Sequence, residues 1–323
     1  MSKKNILIIG THQSGTSWLG KLLGASNRIL VRDEEFFSRS SNLFCKDSID
    51  PPHSYLRHGP SFCRTTYVYV CEENADKYMR HITKLYHNDF SLLEAFQFIN
   101  NFHTMRMAFK KKIKSYYRKI KFSGRQILIE PLGSFSAPWL YHQFNPNVLM
   151  LVRHPASFVY SSKILGYRYD FARLLKQELL MQHYLSDFDK EISNPPERND
   201  IVGQGILLWN MVNSAIIKYH KKYNNWHLVR LEDLNADPIN EIKNLYSIFD
   251  LKYNKEVEKM IIDYSSSDNT SSDIEAGFED DRRNSKEMIK IWQNLSLEEI
   301  NRVKEGTKDI WPYWYDDSDW EIG

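Results

Sequence analysis

The sequence predicts an α/β fold of three layers, with a central parallel sheet flanked by helices on both faces. Three observations carry that reading. The runs "NILIIG" at 5–10, "QILIE" at 126–130, "NVLMLV" at 147–152 and "WHLVRL" at 226–231 are continuously apolar rather than alternating, as strands buried on both faces of a parallel sheet must be. Helical patterns fill the intervals, at 16–24, 91–121, 155–165, 170–192, 201–223, 239–249 and 286–291. The chain has 323 residues, 42% of them hydrophobic, enough to bury a core of that size.

The elements follow in order. The run at 5–10 is too short for a signal sequence, and a loop follows where a cleavage site belongs, so it reads as the first strand. Gly10 ends it, Gly15 ends the loop, and a helix begins at Thr16. A second strand precedes "RDEEFF" at 32–37. The interval from about 36 to 121 is too long for an ordinary connection; it is expected to be a helical insertion over the site, within a single domain spanning 1–323. Its basic run "RMAFKKKIKSYYRKIKF" reads as a solvated helix face. The stretches at 193–200 and 265–273 are loop punctuation.

The net charge of +2 comes from 43 basic and 41 acidic residues, so no global field argues for nucleic acid or an anionic membrane, and any anion site is local. Cys45, Cys63 and Cys71 are odd in number and lack metal-type spacing, which fits ordinary reduced thiols and no metal. No run approaches the roughly 18 apolar residues of a membrane span. The expectation is a cytoplasmic protein without a nucleic-acid or membrane partner.

Chemistry concentrates at two places. In "ILIIGTHQSGTSW" a strand, a glycine-containing loop and a helix start aim several backbone N–H groups at one spot, an anion site needing no side-chain charge. A nucleotide triphosphatase has Lys before the Ser or Thr there; this chain has Gly15, Thr16 and Ser17. In "LMLVRHPASFVYSSKILGY" Arg153 emerges at the carboxyl end of a strand, where open parallel sheets bind ligands. Ser161 follows eight residues later on a helix started by Pro155. Arg and hydroxyl together can clamp a second phosphate. A Walker B aspartate is absent, which counts against the alternative of a P-loop small-molecule kinase or triphosphatase.

"THQSGTSW" and "RHPASFVYS" are similar to the two nucleotide motifs of sulfotransferases that use 3′-phosphoadenosine-5′-phosphosulfate (PAPS). The resemblance implies a P-loop-like fold, PAPS as sulfuryl donor and adenosine 3′,5′-bisphosphate as product. It implies a 5′-phosphosulfate site at Gln13, Ser14, Gly15, Thr16, Ser17 and Trp18, and a 3′-phosphate site at Arg153 and Ser161. "VRLEDLNADP" at 229–238 resembles the family's strand ending in Glu-Asp, with Glu232 and Asp233 in structural roles. "RRNSKEMIKIW" at 282–292 is a loose counterpart of its basic loop, making Arg282, Arg283 and Lys286 candidate phosphate ligands.

A phosphosulfate has no γ-phosphate and needs no magnesium, so the missing lysine fits this donor. Sulfotransferases usually carry Lys or Arg two residues before the second loop glycine, and this chain has Gln13. The leaving-group role then falls to Gln13 itself or to His12, Lys21 or Lys163, or the protein is an inactive PAPS binder. Sulfuryl transfer also needs a base for the acceptor's proton. Tyrosylprotein and glycosaminoglycan sulfotransferases place a glutamate 21 or 22 residues past the loop cation; counted from Gln13 this reaches Glu34 or Glu35. Glu130 is a further candidate. The acceptor is expected to be a small polar natural product or a glycan. The aromatic stretch at 309–320 reads as packing of the tail, with stacking on an acceptor or adenine as the alternative, and the hydroxyls at 265–267 and Thr270 as adenine neighbours or a plain polar loop.

Overall fold

Five parallel strands form one sheet in the order β2-β3-β1-β4-β5: β1 Ile6–Gly10, β2 Leu30–Asp33, β3 Gln126–Ile129, β4 Asn147–Val152 and β5 His227–Arg230. The chain starts at the centre, fills one side, then crosses to the other. In register Ile6 lies between Ile127 and Asn147, and Gly10 faces Leu151. The computed structural model describes residues 3–26, 29–33, 36, 67–87, 124–269 and 283–322. Glu34, Glu35, Thr270, Arg282, Cys45, Cys63, the 91–121 helix, the basic run at 106–122 and most of the 36–121 insertion lie outside these residues.

Strand alternation sorts the core into two layers. Ile6, Ile8, Ile127, Ile129, Leu149 and Leu151 share one cluster with Leu19, Leu22 and Leu23 of helix α1, Thr16–Gly24. Leu7, Ile9, Leu128, Val148, Met150 and Val152 belong to the other. A Cβ on Gly20 would stand 2.2 Å from Ile129 Cδ1, so that glycine is what lets α1 lie this close to the sheet. The described part of the insertion is not an appendage. Tyr67, Tyr69, Val70 and Ile82, the last in α2 (Asp76–Tyr86), sit in the second cluster.

After β3 a short 3₁₀ turn, Pro131–Ser136, leads into α3, Ala137–Phe144. Pro155 starts α4, Pro155–Ile164, immediately beyond β4, where its fixed φ and absent N–H suit the first helical turn. Among the described residues the longest helix is α5, Ile201–Lys222, capped by the Asp200 carboxylate on Gly203 N. Then come α6 Leu231–Ala236, α7 Pro238–Ile248, α8 Lys255–Ser265, α9 Ser285–Ile289 and α10 Leu297–Gly306.

One expectation fails. The 170–192 region is not a continuous helix; it is broken into short pieces, Ala172–Leu175, Glu178–Leu180, a π turn at Met181–Leu185, Ser186–Phe188 and Asp189–Ser193. On a straight α-helix Leu180 would point about 120° away from the face shared by Leu174, Leu185 and Ile192. All four are buried, and a rewound backbone satisfies them together. Among the described residues no helix is long and apolar enough to cross a membrane.

Candidate active site

The loop between β1 and α1 is shaped by its own backbone. Gln13 and Gly15 adopt left-handed conformations, with φ of 63° and 89°. Ser14 turns the chain between them, its N–H and hydroxyl both donating to Thr11 O, at 3.1 and 2.6 Å. Ser14 is completely buried, and its hydroxyl is used within the loop. From below, Ser134 accepts from Gly10 N at 3.1 Å and holds its hydroxyl 2.7 Å from Gly10 O. The start of α1 at Gly15 has no side-chain cap, so its first N–H groups point outward at the positive end of the helix dipole. A Cβ on Gly15 would lie 2.9 Å from Leu231 Cδ1 and 3.0 Å from Arg283 Nη1, which together with its φ makes this position glycine's.

Arg153 meets that loop from the end of β4. Its Nη1 donates to Gln13 O at 2.6 Å and its carbonyl accepts from Trp209 Nε1 at 2.9 Å. The side chain is 3% exposed, and Nε and Nη2 have no hydrogen-bond partner. Burial lowers the guanidinium to about 10, opposed by nearby Glu232, so it carries its charge at neutral pH. A buried, charged fork with free donors beside an uncapped helix start suits an anion in both geometry and potential. The Gln13 amide nitrogen and oxygen are also buried without partners.

A family model described as the sulfotransferase domain matches residues 3–309. The chain belongs to that family. Among solved structures it is similar to the sulfotransferase domain from the curacin biosynthetic pathway, at 14% identity and TM-score 0.44, covering 95% of this chain and 98% of that one. It is similar to mouse sulfotransferase SULT7A1 complexed with PAP, at 10% identity and TM-score 0.43, covering 98% and 86%. A third is a sulfotransferase from Alicyclobacillus acidocaldarius, at 14% identity and TM-score 0.39, covering 99% of both chains. Among curated proteins none matches.

In this member of the family the other residues singled out by sequence take different places. Thr16 and Ser17 open α1. Trp18 is buried, donates from Nε1 to Tyr264 O at 3.2 Å, and carries the Arg283 guanidinium 3.7 Å above its ring centroid. Arg283 is thereby brought to the loop, though α9 starts two residues later. Ser161 is half-buried on α4, two turns beyond Arg153. Lys163 points elsewhere and pairs with Glu299 at 2.6 Å. Glu130 is fully buried and accepts from Phe36 N at 2.9 Å, a bond that holds the chain beyond β2 against the end of β3. Glu232 accepts from His154 N and Tyr315 Oη, at 3.0 and 2.9 Å, and Asp233 pairs with Arg230, so both hold loops together. The tail aromatics pack: Trp320 lies 4.3 Å from His154 and 5.7 Å from Trp311, centroid to centroid.

His12 is not a solvated loop residue. Its ring nitrogens lie 3.1 Å from Tyr67 Oη and 3.2 Å from Tyr169 Oη, and Tyr169 continues to Ser162 at 2.9 Å. Burial drives it down to about 3, so it is a neutral hydrogen-bonding group rather than a cation that replaces the missing lysine. Sequence reasoning missed Tyr67, Tyr169, Ser134 and Trp209, because their partners are 55 to 157 residues away and no local pattern marks them.

The buried histidines set an acid limit on stability. His154, stacked on Trp292 at 5.3 Å, is likewise driven to about 3, by burial and then by Arg230, Arg153 and Lys304. Both groups bind protons more readily unfolded than folded, so stability is complete above about pH 6.5 and falls as pH drops below that value. At pH 5 each histidine costs about 2 kcal/mol. Glu232, raised by burial, works in the opposite sense and makes the slope shallower where it titrates. Urea unfolding at pH 7 and pH 5 measures the difference; equal stabilities contradict the buried neutral pair.

Proposed function

We propose that this sulfotransferase transfers the sulfuryl group of PAPS to a hydroxyl or amine of a small polar natural product or glycan and releases adenosine 3′,5′-bisphosphate. The observation that carries the reading is the buried Arg153 fork, with two donor nitrogens unpartnered, set against the uncapped start of α1. These residues suit a ligand with separated anionic groups. The N–H groups from Gly15 onward, with Thr16 and Ser17, take the 5′ end, while Arg153 and Ser161 take the 3′-phosphate; Trp18 and Arg283 flank the loop, with Arg282 next in sequence. PAPS supplies the activated sulfuryl group and a phosphate leaving group, and no metal is part of the chemistry.

The chain's own residues then have separate tasks. The helix start and Arg153 hold the donor and neutralise its phosphates. Gln13 presents an amide donor at the position where relatives carry a cation, and His12 holds that part of the loop against Tyr67 and Tyr169. Glu34 or Glu35 takes the acceptor's proton as sulfur is attacked in line with the leaving oxygen. The single domain spans 1–323, with the 36–121 segment shaping the acceptor side, and the protein acts in the cytoplasm.

Formation of adenosine 3′,5′-bisphosphate from PAPS across an acceptor panel tests this reading. Small polar natural products rank slightly ahead of glycans, so turnover with small polar hydroxyl or amine compounds is expected; turnover with large glycans alone reverses that order, and PAPS binding without turnover on any acceptor favours an inactive binder. Gln13→Lys is expected to preserve or raise turnover, since it restores a cation at the leaving group; a collapse contradicts the role given to Gln13.

A further inference from the structure

We propose that Cys71, Glu73 and His183 form a zinc site, with water completing the coordination. The Cys71 Sγ, a Glu73 carboxylate oxygen and a His183 ring nitrogen all lie within 4.8 Å of one another. Sulfur, nitrogen and oxygen donors in this number suit a tetrahedral, borderline-soft cation with one open position, and disfavour magnesium or calcium, which take oxygen ligands. The thiolate and carboxylate together balance the charge of a divalent ion.

The donors are held in place before any ion arrives. Asn74 accepts from Cys71 N at 2.9 Å and donates to Tyr69 O at 3.0 Å, closing the turn that carries Cys71 and Glu73. Tyr69 Oη lies 2.8 Å from His183 Nδ1, which fixes the ring and leaves Nε2 toward Glu73 Oε1, 3.4 Å away. An outer partner on the second nitrogen is how metal-bound histidines are oriented. His183 stands in the π turn Met181–Leu185, a local rewinding that often marks functional positions. Glu73 and His183 are 60% and 35% exposed, so the site opens to solvent.

Zinc here would join the 177–183 segment to the 67–74 segment, which itself reaches the phosphate-binding loop through Tyr67. Gln177 already clips them, accepting from Tyr69 N at 2.9 Å and donating to Tyr67 O at 2.7 Å, and Tyr67 touches His12. The ion's task is structural, stiffening the wall behind His12, and it takes no part in sulfuryl transfer. The proposal therefore stands or falls separately from the donor and acceptor reading.

The test is a Co²⁺ titration of the tag-free, EDTA-stripped full chain, followed by visible and near-ultraviolet absorption. One equivalent should give a thiolate-to-cobalt charge-transfer band with intense tetrahedral d–d bands, displaced by Zn²⁺. Zn²⁺ at about a hundredfold over its dissociation constant should raise the unfolding midpoint by roughly 5 °C. Cys71→Ser should abolish the charge-transfer band and Glu73→Gln, at an exposed position, should weaken binding. Tyr69→Phe should weaken it about tenfold through loss of the outer partner. Absence of the band in the native chain, or its survival in Cys71→Ser, overturns the site.

Discussion

Arg153→Ala is expected to remove the binding of adenosine 3′,5′-bisphosphate almost entirely. Deleting one partner of a desolvated charge pair costs about 3 kcal/mol, more than a hundredfold in dissociation constant. Here the loss is compounded because the loop itself leans on the guanidinium through Gln13 O, at 2.6 Å. Titration calorimetry measures it. Arg153→Lys separates charge from geometry: it retains a cation but not the planar fork, so it is expected to bind with intermediate affinity. The Trp209 bond to the backbone carbonyl of residue 153 does not depend on the side chain, so the end of β4 is expected to keep its place. Equal affinities for the native chain and Arg153→Ala contradict the 3′-phosphate assignment.

The second large effect is on turnover. Replacing the acceptor's base removes proton transfer from the transition state, worth about 10²–10⁴-fold. Glu34→Gln is expected to show that loss while binding adenosine 3′,5′-bisphosphate normally, with Glu35→Gln as the paired alternative. Single-turnover rates together with calorimetry distinguish the two. Normal rates in both variants move the base elsewhere. Glu130 is a weak replacement, since it is completely buried and committed to Phe36 N.

The sheet was readable from sequence because its signal is local. A strand buried on both faces has to be apolar at consecutive positions, and β1, β3 and β4 appear within a residue or so of the runs that announce them; β5 also lies where its run predicts, but as an edge strand it is only partly buried along its length. Pro155 and the two loop glycines mark helix start and turn through backbone chemistry alone. The residues proposed for the nucleotide could be picked out for the same reason, since Gly15 opens α1 just past β1 and Arg153 directly follows β4.

What escaped was non-local. Nothing in "HQSG" tells that His12 is clamped by tyrosines at 67 and 169, so a buried neutral ring looked like a candidate cation. A hydroxyl in such a loop can serve a phosphate or the loop itself, and the bond from Ser14 Oγ to Thr11 O is a contact that the sequence does not announce. The 170–192 stretch has helical composition throughout, but the burial of Leu180 depends on what packs against it. The Cys71 cluster takes its third donor from residue 183, a separation that no spacing rule covers.

The loop and Arg153 are expected to hold a 3′-phosphorylated adenosine donor. The most direct test is the unfolding midpoint of the native chain with adenosine 3′,5′-bisphosphate alone and, separately, with ATP and magnesium. At about 100 times its dissociation constant the bisphosphate should add roughly 2.7 kcal/mol, while ATP with magnesium should add little. Stabilisation by ATP with magnesium and none by the bisphosphate would contradict the account and point to phosphoryl-transfer chemistry on the same loop.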